Sequence, residues 1–427
     1  MHFKLHKFDA FTIYLMIAGL GSFANSTIFS INMVYQIEAV RLNPLQLVLV
    51  GTAMEAACFI WQVPTGILAD AYSRRLAVML GYLLMGVGFL LEGLVPTFLA
   101  VIVANVLWGW GATFVTGAEE AWCADELGDE RVGNAFIRGN QIGQVASLVS
   151  IPLGIWLATY RLNLPIIVGS TLHLLLAVLL YIWMPERNFQ PIRNSEHNSW
   201  QAMGKMMADG GKAVRRSRML LTILCITAFS AMASEGFDRL QTDHFIKNFA
   251  FPAIGHLNTL VWFGIISAGG SILCLIITEL VRRRVHASQQ RQMIKVMFSF
   301  QLLLIVSVVV FALSGNFYLA LGAFWCASIG RSAASPFYMT WITRNSPPRM
   351  RATIISMFGQ VDAIGQIAGG PAVGYIGTLV SLRAALISTS AILTPTIIFF
   401  WRALRLSKKT PVYSDGTEGE AGEAVKV

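Results

Sequence analysis

The chain has 427 residues, 55% of them hydrophobic and 13% charged, and its mean hydropathy is +0.60. A soluble globular domain carries about 25% charged residues, so this composition excludes one and points to an all-α membrane protein whose backbone groups are satisfied inside helices. The net charge of +9 is scattered over many short segments instead of gathered on one face, which argues against a nucleic-acid partner.

Apolar stretches of about twenty residues recur along the chain, each long enough to cross a ~30 Å hydrocarbon layer. Twelve spans are predicted, at about 8–35, 44–66, 76–95, 97–122, 133–159, 162–184, 219–247, 257–280, 291–314, 316–343, 351–378 and 381–403. Lys4 and Lys7 precede the first span as in a secretory leader, but the long apolar segment lacks a small-residue cleavage site and reads as a retained helix. With both termini in the cytoplasm, all of the 32 Lys and Arg except Arg41, Arg161, Arg239, Lys247, Arg331 and Arg383 fall on the inner side. That bias predicts a multi-pass protein of the plasma or inner membrane in this orientation, with the lipid bilayer as its solvent.

The first span carries Asn25, the main polar residue deep within it and a candidate for substrate contact. The second holds Glu55 near its middle with no cationic neighbour in sequence. Charges inside a bilayer are costly and default to function, so Glu55 ranks first as a proton carrier. Where the second span gives way to the third stands Gly66-Ile-Leu68-Ala-Asp70-Ala-Tyr-Ser-Arg74-Arg75. This run resembles the motif G-x-L-a-D-r-x-G-R-[RK] of the major facilitator superfamily, with Ser73 where the family usually has Gly and Ala71 where it often has Arg. The resemblance implies twelve transmembrane helices in two pseudo-symmetric six-helix bundles, alternating access, and a small-molecule site at mid-membrane between the halves. It also implies an inner gate. In that gate Asp70 faces the positive end of the eleventh helix near residues 352–354. Arg74 pairs with an acid at the inner end of the fourth helix: Glu119, Glu120 or, first by position, Asp125.

In the fourth span, Val101-Ile-Val-Ala-Asn105-Val-Leu-Trp108-Gly109-Trp-Gly111 resembles the family's antiporter signature l-x-x-x-R-x-x-q-G-x-G, with Asn105 replacing the Arg tied to proton coupling. The fifth helix meets the signature G-x-x-x-G-P-x-x-G-G poorly, offering Gly139, Gly143, Pro152 and Gly154 at other spacings. His173 in the sixth span reads as a bonded core residue.

Residues 185–218 are polar and are predicted to form a cytoplasmic linker between bundles at 1–184 and 219–406. Within it, residues 200–218 form either an amphipathic surface helix, with Trp200, Met203, Met206 and Met207 toward the membrane, or a plain linker, because Gly210-Gly211 weakens a helix. A faint internal repeat pairs Trp122 with Trp341, Gln141 with Gln360, Pro152 with Pro371 and Thr159 with Thr378.

The seventh span contains Ser234-Glu235-Gly-Phe-Asp238-Arg239, then Asp243-His244. This run resembles an S-E-G-F-D-R-L segment in a subset of bacterial drug or metabolite permeases. Glu235 is either a proton carrier or half of a structural pair with Arg239 one turn on. Arg331 lies near the middle of the tenth span and Asp362 near the middle of the eleventh, so Arg331 either serves the site or neutralises Asp362. Asp362 is the third proton-carrier candidate. The eleventh span continues Gly365-x-x-x-Gly369-Gly370-Pro371-x-x-Gly374, small residues that allow close packing beside a proline that bends a helix. The residues Asp238, Arg239, Arg331, Asn25 and Asn105 complete the set of cavity or ion-pair candidates.

Trp61, Trp108, Trp110, Trp262 and Trp325 suit either a cavity for large amphipathic molecules or interface anchoring. Cys58, Cys123, Cys225, Cys274 and Cys326 form no C-x-x-C pair, and neither a metal site nor a cofactor is expected. A G-x-x-x-x-G-K-[ST] phosphate loop is missing, which argues against an ATP-driven pump, and nothing resembles a catalytic cluster. The residues 407–427 are Lys-rich, then Gly- and Glu-rich, and are expected to be disordered. The resulting expectation is a monomeric, non-enzymatic secondary transporter that exports hydrophobic or amphipathic small molecules in exchange for protons. The alternatives are a proton symporter or facilitator of a polar metabolite such as a sugar or organic acid, and a membrane sensor that does not transport.

Overall fold

The computed structural model describes residues 9–191, 199–252, 260–284 and 289–407, and among them there are helices and no strand. The first six spanning helices are α1 (Ala10–Glu38), α2 (Pro44–Ala71), α3 (Arg74–Leu94), α4 (Phe98–Leu127), α5 (Asp129–Tyr160) and α6 (Leu164–Trp183). The second six are α7 (Arg218–Asn248), α8 (Leu260–Arg284), α9 (Gln290–Leu313), α10 (Phe317–Ser332 continuing as Ser335–Asn345), α11 (Arg351–Leu379) and α12 (Leu382–Leu406). Ten of these are long and apolar enough to cross a membrane by length and composition. The other two are α10, which is broken at Ala333 and Ala334, and α11, whose Gln360, Asp362, Gln366 and many glycines dilute its apolar character. They complete a twelve-helix fold of two pseudo-symmetric six-helix bundles.

Local sequence sets where the helices begin. Asn43 and Gln46 close a reciprocal capping box ahead of α2, with Pro44 in its first turn. Side chains of Ser73, Thr97, Ser217, Asn316 and Ser381 accept backbone N–H groups at the starts of α3, α4, α7, α10 and α12. Breaks inside the helices are as local. Gly117 takes φ 83°, a left-handed conformation that favours glycine, and splits α4.

Apolar packing divides the molecule unevenly. At the end carrying the turn between α2 and α3 there are two separate cores. One joins Ile13, Val78, Trp122 and Leu180 of the first six helices. The other joins Ile223, Met297, Trp341 and Phe400 of the second six. At the opposite end a large core runs through both halves, from Leu47 and Val48 of α2 to Phe237 of α7, Phe311 of α9 and Val373 of α11, beside a small cluster of Ile28, Tyr35, Phe89 and Ile166 in the first half. Trp122 and Trp341, the rare repeated pair, occupy matching places at the buried heart of the two separate cores.

The segment between the halves contains a helix, Ser199–Arg216, which packs on α11 and α2. Gly210 does not interrupt it. The residue is buried, and a Cβ there would lie 3.0 Å from the Met357 sulfur of α11, so its lack of a side chain permits the approach. The side chains of Trp200, Met203, Met206 and Met207, the residues before Asp9 and the tail beyond Ser407 lie outside the described residues.

Candidate functional site

At the joined end, α2 lies against α7 and α11 along a seam of small residues. A Cβ at Gly370 would come within 3.0 Å of Val48 Cγ1, one at Gly374 within 3.1 Å of Leu45 Cα, and one at Gly377 within 3.0 Å of Pro44 Cβ. The Leu45 amide donates to the Thr378 hydroxyl at 3.0 Å. Gly365 and Gly369 face the other way, onto Ala231 and Met232 of α7. These glycines therefore serve close approach on two faces of α11, and the helix runs unbroken from Arg351 to Leu379 through Pro371. Pro152 likewise lies within an unbroken α5.

Charged residues cluster along this seam. Glu235 accepts from Arg239 Nε at 2.8 Å, with only 4% and 11% of the two side chains exposed. Gly51 of α2 presses directly on that pair, and Met54 Sδ lies 3.8 Å from Arg239 Nη2. Glu55, one turn further along α2, is partly buried and within electrostatic range of Glu235, Asp362 and Arg239. Glu55 thus lies near both other carboxylates singled out in sequence, Glu235 beside Arg239 and Asp362 on the Arg331 side.

Arg331 makes its ion pair with Asp238 and not with Asp362. Its guanidinium forks onto both oxygens of Asp238, with Nη2 to Oδ2 at 2.8 Å, and lies 5.9 Å from the centre of the Phe237 ring. A planar fork is best matched by the two oxygens of one carboxylate, and Asp362 instead accepts from Gln366 Nε2 at 2.9 Å. The pair and Asp362 line a cavity of about 400 Å³ inside the second bundle, together with Thr227, Gln301 and Tyr338.

The turn between α2 and α3 is an ordered polar knot. Arg74 joins three helices: it pairs with Asp125 of α4, donates to the Ala121 carbonyl at 3.0 Å, and reaches Asp70 at 3.2 Å. Arg75 Nη2 donates to the Tyr181 carbonyl at 2.5 Å. Ser73 has φ −173°, an extended conformation open to any residue, so the glycine of the family motif is not needed. Its hydroxyl caps α3 and donates to Glu186 Oε2 at 2.6 Å, while the Arg75 amide donates to Glu186 Oε1 at 2.9 Å. Glu186 is a partner that the motif alone does not reveal.

Among the described residues, no bond joins Asp70 to the start of α11 in this conformation. Half of the Asp70 side chain is exposed, its described bonds go to Arg74, and Gly66 faces open space with Leu68 exposed nearby. The last described hydrogen bond between α2 and α11 toward this end joins Gln62 and Gln360 at 2.9 Å. Beyond it the halves part, which leaves Asp70 without its intended surface.

The parting opens a cavity of about 1150 Å³ bounded by α1, α3, α4 and α5 on one side and α8 and α10 on the other. Tyr14, Tyr82, Phe136 and Glu119 form its polar-aromatic wall. Asn25 also lines it and receives His173 Nε2 at 3.2 Å, so the buried histidine is a bonded core residue.

Asn105 has a different role from the arginine it replaces. Its amide donates to Glu92 Oε2 at 3.3 Å, and Asn32 and Gln36 each donate to Glu92 Oε1 at 2.8 Å. Glu92 is fully buried and held by three neutral amides. It sits near the end of its span, where hydropathy reads a boundary. The amides of three polar residues in neighbouring spans were the available signal.

Comparison with known proteins matches this architecture. The family model described as Major Facilitator Superfamily matches residues 15–361. An uncharacterized MFS-type transporter, YxaM of Bacillus subtilis (strain 168), is 20% identical over 359 residues, covering 83% of this chain and 86% of its own. Among solved structures, a bacterial homolog of the human lysosomal transporter Spinster, inward-facing and unoccupied, superposes with a TM-score of 0.71 at 15% identity over 95% of this chain and 98% of its own. The nucleoside transporter NupG gives 0.70 at 13% identity over 95% and 100%. The peptide transporter POT in complex with sulfate gives 0.70 at 15% over 96% of each.

Proposed function

The chain belongs to the major facilitator superfamily and is a multi-pass membrane transporter of that type, and on this premise we propose that it exports hydrophobic or amphipathic small molecules by proton-coupled alternating access. One observation carries the reading: two bundles share a core at one end and part at the other around a cavity of about 1150 Å³. That volume suits a drug-sized molecule. The cavity wall sets the rings of Tyr14, Tyr82 and Phe136 and apolar residues such as Ile17 and Leu148 beside hydroxyls and amides, a mixed surface that supports an amphipathic cargo.

The positive-inside bias puts the α2–α3 turn and both termini on the cytoplasmic side, so the parted end loads from the cytoplasm. Closing that end brings Asp70 toward the start of α11 and completes an inner gate of Gly66, Leu68, Asp70, Arg74, Arg75 and Asp125. Opening the other end separates the seam. Glu235 lies on the seam that separates, with Glu55 one turn along α2 and Asp362 within reach of Glu55, and this supports them as the proton path.

The test is flux in reconstituted vesicles. An imposed pH gradient, acid on the outer face, should drive a fluorescent amphipathic compound out through the protein. If the compound moves equally with and without the gradient, proton coupling is wrong. If it does not move at all, while a polar metabolite does, the cargo class is wrong.

A further inference from the structure

The central cavity has a one-sided charge chemistry. Among the described residues lining it, none is Lys, Arg or His, and one is a carboxylate, Glu119. Its polar groups are otherwise hydroxyls and amides such as Ser22, Asn140 and Gln144. We propose that the cargo is a cation, an amphipathic amine or a quaternary onium ion, and that Glu119 with the rings of Tyr14, Tyr82 and Phe136 is its counter-ion site. The inference rests on the transporter reading and narrows it to a substrate class.

Local backbone places Glu119 for this work. The left-handed Gly117 ends the first part of α4, and the chain restarts at Ala118. Glu120 turns back to accept the Gly117 amide at 3.0 Å. Glu119 turns the opposite way, to within 3.4 Å of the Tyr82 hydroxyl. That contact is long, so the carboxylate keeps most of its acceptor capacity for an incoming donor.

Three rings line the same cavity. Tyr14 and Phe136 meet edge to face at 5.7 Å, and Tyr82 stacks on His173 at 5.7 Å. Two glycines make room for them. A Cβ at Gly139 would lie 2.5 Å from the Tyr14 ring, and one at Gly21 would lie 3.0 Å from the Tyr82 hydroxyl. Aromatic faces attract cations through their quadrupole, most strongly where water is excluded. A carboxylate that shares a cavity wall with three rings therefore favours a bulky organic cation over a small hydrated one.

The rest of the interior points the same way. Arg331 is forked onto Asp238 and Arg239 is bonded to Glu235, so both cations are already committed. Glu55, Glu92 and Asp362 add carboxylates with no Lys or Arg among their described hydrogen-bond partners. An organic acid or a peptide carboxylate entering here would lose its hydration and meet no cation among the described lining residues.

Two probes of one shape and opposite charge test this: tetraphenylphosphonium and tetraphenylborate, titrated against purified full-length protein with saturable tryptophan quenching as the readout. The cation should bind at least about tenfold more tightly, the factor expected from one charge-assisted contact. Glu119→Gln should cost the cation about tenfold in affinity and leave the anion unchanged, while Glu119→Asp retains most of the cation affinity. An unchanged thermal midpoint in Glu119→Gln shows that the fold is intact. Equal or tighter binding of the borate, or full cation affinity in a folded Glu119→Gln, overturns the proposal. Cation binding without pH-driven flux would sink proton-coupled export and leave the site standing. Flux of neutral compounds with no cation binding would do the reverse.

Discussion

Gly51 of α2 and the Glu235 carboxylate of α7 stand so close that no side-chain atom fits between them. The contact crosses the two halves and traps the Glu235 and Arg239 ion pair beneath it. Adding one methyl group there forces the pair apart, and overpacking of this kind costs about 1–3 kcal/mol. Gly51→Ala should therefore lower the thermal midpoint in detergent and abolish flux. Gly322→Ala, at an open position on α10, should leave stability within about 0.5 kcal/mol of wild type. A normal midpoint in Gly51→Ala would show that the seam is looser than it looks.

Arg74 gives a second prediction, because it holds three helices with one guanidinium. Lysine keeps the charge and loses the fork. A double-mutant cycle of Arg74→Lys with Asp125→Asn should show a coupling of about 0.5–3 kcal/mol in unfolding experiments. Additivity of the two single changes would mean that the pair is incidental.

Asp70 should behave differently from its neighbour. Half exposed and secondary to Asp125 in holding Arg74, it contributes little to the stability of this conformation. Its proposed work begins when the parted end closes on α11. Asp70→Asn should leave the thermal midpoint nearly unchanged and strongly reduce flux in vesicles. Wild-type flux in that variant removes Asp70 from the gate.

Glu92 binds together three helices through neutral amides, so its loss strands several buried donors at once. Each unsatisfied buried donor costs about 1–3 kcal/mol. Glu92→Ala should destabilise the protein more than Asn105→Ala does. Asn105 contributes one donor at 3.3 Å to Glu92 and also serves the Val101 carbonyl at 2.9 Å. The comparison of the two midpoints is the measurement, and the reverse order would deny Glu92 its central place.

Proton coupling is separable from binding in Glu55→Gln. An amide cannot take up a proton on the acidic side and release it on the other, so accumulation driven by a pH gradient should vanish while exchange of labelled for unlabelled cargo persists. Glu235→Gln and Asp362→Asn provide the comparison. Unchanged pH dependence in all three would place the proton path elsewhere.

The sequence carries the spans well because a bilayer asks for little beyond apolar length. The stretch at 44–66 became Pro44–Ala71 and the stretch at 381–403 became Leu382–Leu406. Ordered spacing also suggests Asp125 opposite Arg74, since both lie at the same end of neighbouring spans. Partner choice deeper in the bundle is less accessible, because it depends on how each helix is rotated. Arg331 meets Asp238 of α7 instead of Asp362 of the adjacent α11 for that reason. Breaks such as Gly117 are hidden too. Their effect is to redirect one side chain, and hydropathy averages over many.

The seam between α2 and α11 has a kinetic consequence. It is faced with Gly370, Gly374 and Gly377 against Val48, Leu45 and Pro44, so few long side chains interlock across it. Such a surface peels apart without forcing rotamers through eclipsed positions, and it re-forms without a search among alternative packings. A turnover cycle that opens this face must wet an apolar strip as well as part its polar contacts, so its speed should respond to the lipid and to temperature.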